Sequence, residues 1–429
     1  MGCLKHQRTW TPASAGVTTE VALNVTIQTD TSQPSIFPAA QAFLRQEDLP
    51  GWLIYDYRHS NPIFWQAVTP SGHVTRPCFL YVPADSTPLL LVHHVDAGKF
   101  AQSGIQLRVY QGREDMIGLL GQALSGASRV AMEYSPQNLL PRVSRVDAGT
   151  VELVRSLGVE VVSSADLMQY ATQRWSSKQL EDHCNSAAKL GEIVNEAFQY
   201  TAAQLAEQPT EFQVAEFIRR RFRQEGLETP DGPIVAVNAH SSDPHYEPME
   251  QGSSVIQAGD WLLIDLWARS VNFHSALLDS GQESVFADIT WVAYVGDVVP
   301  TRYQDIFDIV TGARDVALAY LEDSFRQGFD VQGWQADAVA RDYISAKGYG
   351  KYFTHRLGHS IGNEVHGDAV NLDGWETRDT RRIIPGIGFS IEPGIYLPEF
   401  GVRSEIDAYM SEKGPYATSP VQQEVVLIR

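Results

Sequence analysis

The chain has 429 residues and a formal net charge of −19 at pH 7. That length exceeds what one hydrophobic core usually supports, and 43% hydrophobic with 20% charged residues is an ordinary globular composition, so we expect two folded domains. The negative charge argues against nucleic acid and anionic membrane surfaces as partners, because both would repel the protein.

Cysteine content and hydropathy bear on the location of the chain. Cys3, Cys78 and Cys184 are too few and too scattered for a disulfide framework or a thiolate metal site, which predicts a reducing, cytoplasmic setting. No apolar run approaches the roughly 20 residues of a membrane-spanning helix. Residues 1–35 are rich in Thr, Ser, Ala and Gln and lack the apolar core of a secretory signal, so we predict a disordered leader.

Short apolar runs alternate with amphipathic stretches over residues 36–172, which is typical of an α/β domain. The predicted strands are 52–56, 78–82, 88–93, 129–133 and 159–162, and the predicted helices are 114–123 and 146–156. The stretch contains neither a metal-ligand cluster nor a glycine-rich phosphate loop, so we do not expect catalytic residues in this domain.

The chain turns polar near residues 173–179, where Ser176 or Ser177 can cap a long helix. We therefore predict a second domain over 173–429, which begins with helices near 180–205 and 211–225.

Two aspartates lie in stretches that predict neighbouring strands. Asp265 falls inside the buried strand predicted for 260–268. Because an isolated buried charge is costly, Asp265 must either pair with a cation or bind a metal. Asp288 lies early in the strand predicted for 286–296, and a hairpin of the two strands would bring both aspartates side by side.

Two glutamates follow in similar surroundings. Glu392 sits among apolar residues in "GFSIEPGIY", and Glu405 lies in "GVRSEIDAYM". We interpret the second stretch as one strand, whose alternation puts Arg403, Glu405 and Asp407 on one side. Any one of these acidic groups could be a satisfied buried ion pair, but that reading weakens when all of them are taken together.

Three histidines punctuate the stretch "THRLGHSIGNEVHG", at His355, His359 and His366. Their offsets of four and seven (359 − 355 and 366 − 359) would suit one face of a helix, but Gly358 and Gly362 disfavour a helix. A strand and turn would point His355 and His359 to the same side. Taken alone, the stretch could equally be an ordinary polar loop.

The acidic residues and one histidine balance the charge of two divalent cations. The set is Asp265, Asp288, Glu392 and Glu405 with His359 as a neutral ligand. Hard oxygen donors with one imidazole suit Mn(II), while Co(II), Fe(II) and Zn(II) remain possible.

These five residues, in the contexts "LIDLWA", "ADIT", "GHSIG", "IEPG" and "RSE", resemble the pita-bread metallopeptidases: prolidase, aminopeptidase P and methionine aminopeptidase. Residues 36–172 resemble the amino-terminal domain of the prolidase, aminopeptidase P and creatinase branch. The resemblance implies an α/β amino-terminal domain followed by an α+β pita-bread catalytic domain.

The resemblance also implies roles for individual residues. Asp265, Asp288, His359, Glu392 and Glu405 match the five metal ligands of the family. His366 matches a catalytic histidine that contacts the substrate carbonyl or the scissile nitrogen. His245, in "DPHYEP", and His355 match substrate-side histidines. Arg403 matches an arginine that either orients an acidic ligand or meets a substrate carboxylate.

One departure from the family pattern concerns the two aspartates. They are 23 positions apart (288 − 265), about twice the usual spacing, which implies an insertion near 269–285. Asp279 is the rival for the second ligand, but it lacks the Ile-Thr pair that follows Asp288. The inserted loop could border the active site or reach a neighbouring subunit.

The predicted function is a dinuclear-metal exopeptidase that cleaves between an N-terminal residue and proline, as an Xaa-Pro dipeptidase or an Xaa-Pro aminopeptidase. Metal coordination lowers the pKa of water, Glu392 would shuttle its proton, and His366 and His245 would donate to the oxyanion. The alternatives are a creatinase-like, metal-independent C–N hydrolase and a non-catalytic binding protein on the same fold. By analogy with the branch we expect a homodimer.

Overall fold

The computed structural model describes residues 36–271 and 283–429. The predicted leader, the rival ligand Asp279 and most of the predicted insertion lie outside these ranges. None of the helices within the two described ranges combines the length and the apolar character needed to cross a bilayer.

The first domain is a six-stranded sheet with helices on both faces. Its strands are β1 Gly51–Asp56, β2 Cys78–Pro83, β3 Leu89–His93, β4 Gln106–Tyr110, β5 Arg129–Met132 and β6 Glu160–Ser163, in the order β4-β3-β2-β1-β5-β6. Its α-helices are α1 Phe37–Gln46, α2 Pro62–Ala67, α3 Arg113–Ala123, α4 Ala148–Ser156 and α5 Ala165–Thr172. The five predicted strands and both predicted helices are confirmed to within two residues. The sequence missed β4, which lies at the sheet edge and is largely exposed, so it lacks a buried apolar run.

Alternation along β1 shows why both faces of this sheet are covered. Trp52 and Ile54 pack in the cluster that includes α1 and α5, whereas Leu53 packs in the cluster that includes α3 and α4. A strand that buries successive side chains on opposite faces needs a layer of helices on each side.

The second domain begins with two helices that pack against a sheet. Ser176 caps α6 Ser177–Gln204 in a capping box with Gln179, as the polar segment before it predicts. Thr210 caps α7 Glu211–Glu225 in the same way. We propose that the division between the domains lies in the segment 173–176 between α5 and α6.

The remaining strands form two sheets and a hairpin. The first sheet holds β7 Leu227–Glu228, β8 Ile234–Val237, β9 Trp261–Ser270, β10 Ala287–Val295 and β17 Val426–Ile428. The second holds β11 Ser360–Ile361, β12 Gly388–Ile391, β15 Ile406–Ser411 and β16 Gly414–Ala417, and the hairpin is β13 Gly394–Leu397 with β14 Phe400–Arg403. Two long helices, α8 Thr301–Arg326 and α9 Gly333–Ala346, lie between these strands in the chain. This arrangement confirms the predicted α/β domain followed by an α+β domain.

The burial pattern of β9 directs one carboxylate away from the helices α6 and α7. Leu262 and Ile264 pack in the cluster formed with those helices, whereas Leu263 packs on the opposite face with α8 and α9. Asp265 has the parity of Leu263, so it faces the second sheet rather than α6 and α7.

The prediction of one continuous strand through "GVRSEIDAYM" is wrong. β14 ends at Arg403 and pairs with β13, whereas β15 begins at Ile406 and pairs with β12, so Ser404 and Glu405 lie between two sheets. The buried Arg314 of α8 donates to Ser404 Oγ at 2.8 Å at this break. The break turns Glu405 towards β10, where its backbone N–H donates to the carbonyl of Thr290 at 3.2 Å.

Candidate active site

The two aspartates lie on the same face of the β9–β10 pair. In the antiparallel register Asp265 stands opposite Thr290, and Asp288 stands opposite Trp267. Directly opposed residues share a face, and Asp288 is two positions from Thr290, so the two carboxylates are diagonal neighbours. Both are buried. The predicted hairpin pairing is therefore observed, although the two aspartates are not directly opposed.

The two glutamates reach this face from the second sheet. Glu392 follows β12, and its Oε1 accepts a hydrogen bond from Ser390 Oγ at 3.1 Å. Oε2 of Glu405 accepts from the hydroxyl of Thr290 at 2.7 Å. A residue of β10 thus holds a carboxylate that comes from the break between β14 and β15.

His359 is held in the tautomer that a metal ligand needs. Its Nδ1 lies 3.1 Å from the carbonyl oxygen of Ser360, which can only accept, so Nδ1 carries the proton. Its Nε2 then offers a lone pair, and it lies 3.7 Å from Asp288 Oδ2, 3.5 Å from Glu392 Oε1 and 4.0 Å from Glu405 Oε1. The glycine at 358 is required beside it, because a side chain there would clash with the carbonyl of Ser390.

Unpaired oxygen atoms indicate that the cluster can accept a cation. Ligand atoms of Asp288, His359 and Glu405 all lie within 4.8 Å of one another. Among the described residues, Oδ1 of Asp265, Oδ1 of Asp288 and Oε1 of Glu405 are buried without a hydrogen-bond partner. Buried acceptors of this kind are costly unless a cation or a proton meets them. The donor set of carboxylates with one imidazole fits a divalent metal ion.

Burial favours the neutral form of each of these groups. Burial first, and then the charge of Glu405, raises the pKa of Asp288 well above its ordinary value. Burial and Glu392 do the same to Glu405. Burial raises the pKa of Glu392 to about 7. Burial also holds the pKa of His359 well below its ordinary value, so the imidazole is neutral and free to bind a metal.

Arg403 is buried and its guanidinium contacts three protein groups. Nη2 donates to Asp265 Oδ2, Nε donates to Thr290 Oγ1 at 2.9 Å, and Nη1 donates to Tyr396 Oη at 3.3 Å. Burial alone would lower the pKa of Arg403, but Asp265 raises it well above the ordinary value. Of the two roles that the sequence leaves open, this geometry favours orientation of an acidic ligand over contact with a substrate carboxylate.

His355 uses both ring nitrogens within the protein. Nδ1 lies 2.6 Å from the carbonyl oxygen of Arg356 and must donate to it, so Nε2 accepts from Tyr396 OH at 2.7 Å. Burial and the neighbouring Arg403 lower the pKa of His355 to about 3, so the ring is neutral. The ring lines the same pocket as the cluster, but these bonds favour a role in holding Tyr396.

His366 and His245 lie at the more exposed part of that pocket. The ring of His366 packs perpendicular to the ring of His359, with centroids 4.3 Å apart. Both His366 and His245 are exposed, and both line a pocket of about 1250 Å³ together with the five predicted ligands. Although the residue is exposed overall, desolvation of its ring within the pocket and the charge of Arg356 lower the pKa of His366 to about 4. The structure therefore gathers all nine predicted site residues around one pocket.

Several residues around the site did not emerge from the sequence as site residues. Thr290 links Glu405 to Arg403, whereas in the sequence it is distinctive only as part of the Ile-Thr pair that follows Asp288. Tyr396 gave no sequence signal. Asp407 is buried and accepts from the backbone N–H of Asp288 at 3.0 Å; the sequence placed it on the same side as Glu405 but assigned it no role.

The chain matches the sequence model of Metallopeptidase family M24 over residues 186–412. The uncharacterized peptidase YqhT of Bacillus subtilis is 28% identical over 272 residues, which are 62% of this chain and 70% of that protein. The probable dipeptidase PepE of Mycobacterium bovis is 24% identical over 356 residues, which are 81% of this chain and 85% of that protein.

Solved structures resemble the chain over most of its length. Dipeptidase PepE from Mycobacterium ulcerans has a TM-score of 0.63 at 23% identity and covers 92% of this chain and 97% of its own. The prolidase from Pyrococcus horikoshii OT3 has a TM-score of 0.56 at 22% identity, with 91% and 99% covered. The X-Pro aminopeptidase from Thermotoga maritima MSB8 has a TM-score of 0.53 at 23% identity, with 89% and 99% covered. At these identities the likeness shows the fold, which is the pita-bread fold with an amino-terminal α/β domain.

Proposed function

Because the chain belongs to metallopeptidase family M24, and is therefore a peptide hydrolase, we propose that it is a dinuclear-metal exopeptidase acting on the bond between an N-terminal residue and proline. The observation that carries this proposal is the cluster of buried carboxylates around the free Nε2 of His359, in which Oδ1 of Asp265, Oδ1 of Asp288 and Oε1 of Glu405 have no hydrogen-bond partner. Such a cluster suits a metal-dependent hydrolase, because its negative charges can balance the positive charge of bound cations.

Five residues would hold two divalent ions. They are Asp265, Asp288, His359, Glu392 and Glu405. We favour Mn(II) on the ground that hard oxygen donors dominate the set, with Co(II), Fe(II) and Zn(II) as the other candidates. When bound, the ions would lower the pKa of a water molecule and polarise the scissile carbonyl.

Glu392 would move the proton in this reaction. Its carboxylate is largely buried and lines the pocket, with Oε1 held by Ser390 Oγ and 3.5 Å from His359 Nε2. Glu392 would take the proton of the attacking water and pass it to the leaving nitrogen. A leaving proline nitrogen needs this proton, because it would otherwise depart as a strongly basic amide ion.

The exposed histidines would stabilise the negative charge that forms on the carbonyl oxygen. Among the described residues, the ring nitrogens of His366 and His245 have no protein hydrogen bond, so their N–H groups are available to a substrate. Both rings line the pocket. Donors that are already in place when the charge develops lower the barrier without reorganisation.

Preference for proline would come from the shape of the pocket. The imide nitrogen before proline has no N–H, so no hydrogen bond to that atom can select it. Rings and aliphatic carbons of Trp267, Val365 and Ile234 line the pocket near the acidic cluster and would offer an apolar surface for a pyrrolidine ring.

The test is turnover by the metal-loaded protein. We expect hydrolysis of Xaa-Pro dipeptides, of longer Xaa-Pro peptides or of both, and slower hydrolysis of matched Xaa-Ala peptides. The comparison of peptide lengths separates dipeptidase from aminopeptidase. Equal turnover of Xaa-Ala would instead favour a general dipeptidase, and no turnover of any Xaa-Pro peptide by protein with bound metal would contradict the proposal.

Two alternatives make opposite predictions about metal. A creatinase-like hydrolase would keep its full activity on a small C–N substrate after exhaustive chelation. A non-catalytic binding protein would purify without stoichiometric metal and would turn over no peptide. The unpaired oxygens of Asp265, Asp288 and Glu405 argue against both, because burying several acidic groups together is costly and a bound cation offsets that cost.

The setting of the enzyme is part of the same proposal. We propose a cytoplasmic location, which the scarcity of cysteine supports, and a homodimer, which rests on analogy with the prolidase branch. Sedimentation of the metal-loaded protein would test the second point.

A further inference from the structure

A turn of the amino-terminal domain contacts the loop that carries His366. The turn is the 3-10 helix Pro141–Val143, which lies between β5 and α4. Leu140 and Val143 are buried in the hydrophobic core of that domain, so the turn is fixed on its own side. Arg142 lies between these two anchors and extends towards the catalytic domain.

The guanidinium of Arg142 holds three groups on the facing loop. Nε donates to Asp368 Oδ1 at 2.5 Å, and Nη2 donates to the carbonyl of His366 at 2.6 Å and to Glu364 Oε2 at 3.2 Å. The loop is therefore bound at His366 itself and at a carboxylate two positions to either side. A planar guanidinium can hold such a set because its donors point in fixed directions.

The position of the His366 ring depends on its backbone. Asn363, Glu364 and His366 are exposed. Besides Arg142, the loop is held by Arg269, which donates to the carbonyl of Asn363 at 2.9 Å, and by the N–H of Gly367, which donates to the carbonyl of Ser360 at 2.7 Å. In the described part of the chain, the imidazole makes no protein hydrogen bond, and its neighbour is the ring of His359 at 4.3 Å. A shift of the backbone at His366 would therefore move the ring away from the metal-ligand cluster.

We propose that Arg142 is a positioning residue that holds the His366 loop at the active site, so that the amino-terminal domain sets the geometry of catalysis in the other domain. This inference rests on the proposed role of His366. The ion pairs of Arg142 are partly exposed, with 37% of its side chain accessible. Pairs of that kind contribute little to stability, so the contacts make more sense as a means of placing the loop.

Arg142→Ala tests the proposal, and Arg382→Ala is the matched control. Arg382 also joins the two domains, through a 2.8 Å bond to Glu47, and its side chain is 30% exposed, but it does not touch the His366 loop. We expect Arg142→Ala to lower kcat by roughly 10- to 100-fold with KM nearly unchanged, since a displacement of about 1 Å can cost as much as 100-fold. Arg142→Lys keeps the positive charge but loses the forked donors of the guanidinium, so its kcat should lie between those of the wild type and Arg142→Ala. Arg382→Ala should match the wild type.

Two further measurements separate positioning from a general loss of structure. Metal content should stay at the wild-type level in Arg142→Ala, and its melting temperature should move by no more than about 3 °C. In a His366→Ala background, removal of Arg142 should cost little more, because the group through which it acts is already gone.

The possible failures are distinguishable. If His366→Ala loses activity while Arg142→Ala keeps the wild-type kcat, the positioning role is wrong and the proposed function stands. If Arg142→Ala costs the same factor whether or not His366 is present, Arg142 acts by another route and the inference is again wrong. If His366→Ala is fully active, the role of His366 in the proposed function fails as well.

Discussion

The hydroxyl of Thr290 donates a 2.7 Å hydrogen bond to Oε2 of Glu405, a residue 115 positions further along the chain. The same hydroxyl oxygen accepts from Arg403 Nε at 2.9 Å, and Arg403 in turn holds Asp265. One threonine thus connects two carboxylates that come from different sheets. If Asp265 and Glu405 hold a metal as proposed, the groups that orient them should influence metal affinity.

Replacement of Thr290 by valine tests this connection. Thr290→Val keeps the shape but leaves Oε2 of Glu405 without its donor, so we expect metal affinity or turnover to fall by roughly 10- to 100-fold. The metal-free protein should lose about 1–3 kcal/mol of unfolding free energy. Thr290→Ser keeps the hydroxyl and is the control. Equal metal affinity and turnover in the valine and serine variants would show that the bond is unimportant.

Metal binding should release protons near neutral pH. Burial raises the pKa of Glu392 to about 7, and burial raises the pKa of Asp288 and Glu405 well above their ordinary values, so these groups hold protons that a cation must displace. His359 releases none, because burial keeps its pKa well below the ordinary value.

The sign of the pH dependence follows from these shifts. Metal affinity should rise as pH increases towards and through about 7, where Glu392 loses its proton. In the metal-free protein, Glu392 should instead make folding less favourable as pH rises. Its pKa is 4.5 in the unfolded chain and about 7 in the folded protein, so its contribution to stability is full below pH 4.5 and is lost between pH 4.5 and about 7. Calorimetric titration at pH 6 in two buffers of different ionisation enthalpy would count the released protons. Identical heats in both buffers would contradict the expectation.

Glu392→Gln should abolish turnover while the fold is kept. Glutamine cannot take a proton from water, and we expect kcat to fall by roughly 100- to 10,000-fold. The buried amide removes a charge, so the melting temperature of the metal-free protein should not fall much. Glu399→Gln, at an exposed glutamate that pairs with Arg302, is the control and should behave as the wild type. Normal hydrolysis by Glu392→Gln would rule out the proton-shuttle role.

The acidic residues of the site could be predicted because each one breaks a local rule. A carboxylate inside an apolar strand such as 261–270 is too costly to be accidental, and several of them imply a shared partner. The glycine-rich stretch with His355, His359 and His366 suggested one of its histidines, His359, as a neutral ligand beside the carboxylates. The sequence predicted that a hairpin would bring Asp265 and Asp288 side by side, but their shared face depends on the register of β9 with β10, which alternation within each strand does not specify.

Other features depend on contacts that no local pattern encodes. Glu405 reaches the site because the chain leaves one sheet and enters another, with Arg314 of α8 bound at the break. Tyr396 matters only through its contacts with His355 and Arg403. Arg142 is an ordinary turn residue in the sequence, and its contact with His366 depends on how the two domains pack.

The central claim is that the buried carboxylates meet because two divalent ions join them, and a metal titration tests it most directly. Metal-free protein would be titrated with Mn(II), and bound metal per chain and Xaa-Pro turnover would be measured on the same samples. We expect turnover to appear with bound metal and to reach its maximum at two ions per chain, and we expect Asp288→Asn with Glu405→Gln to bind neither. Full Xaa-Pro turnover by protein that holds no metal would contradict the account.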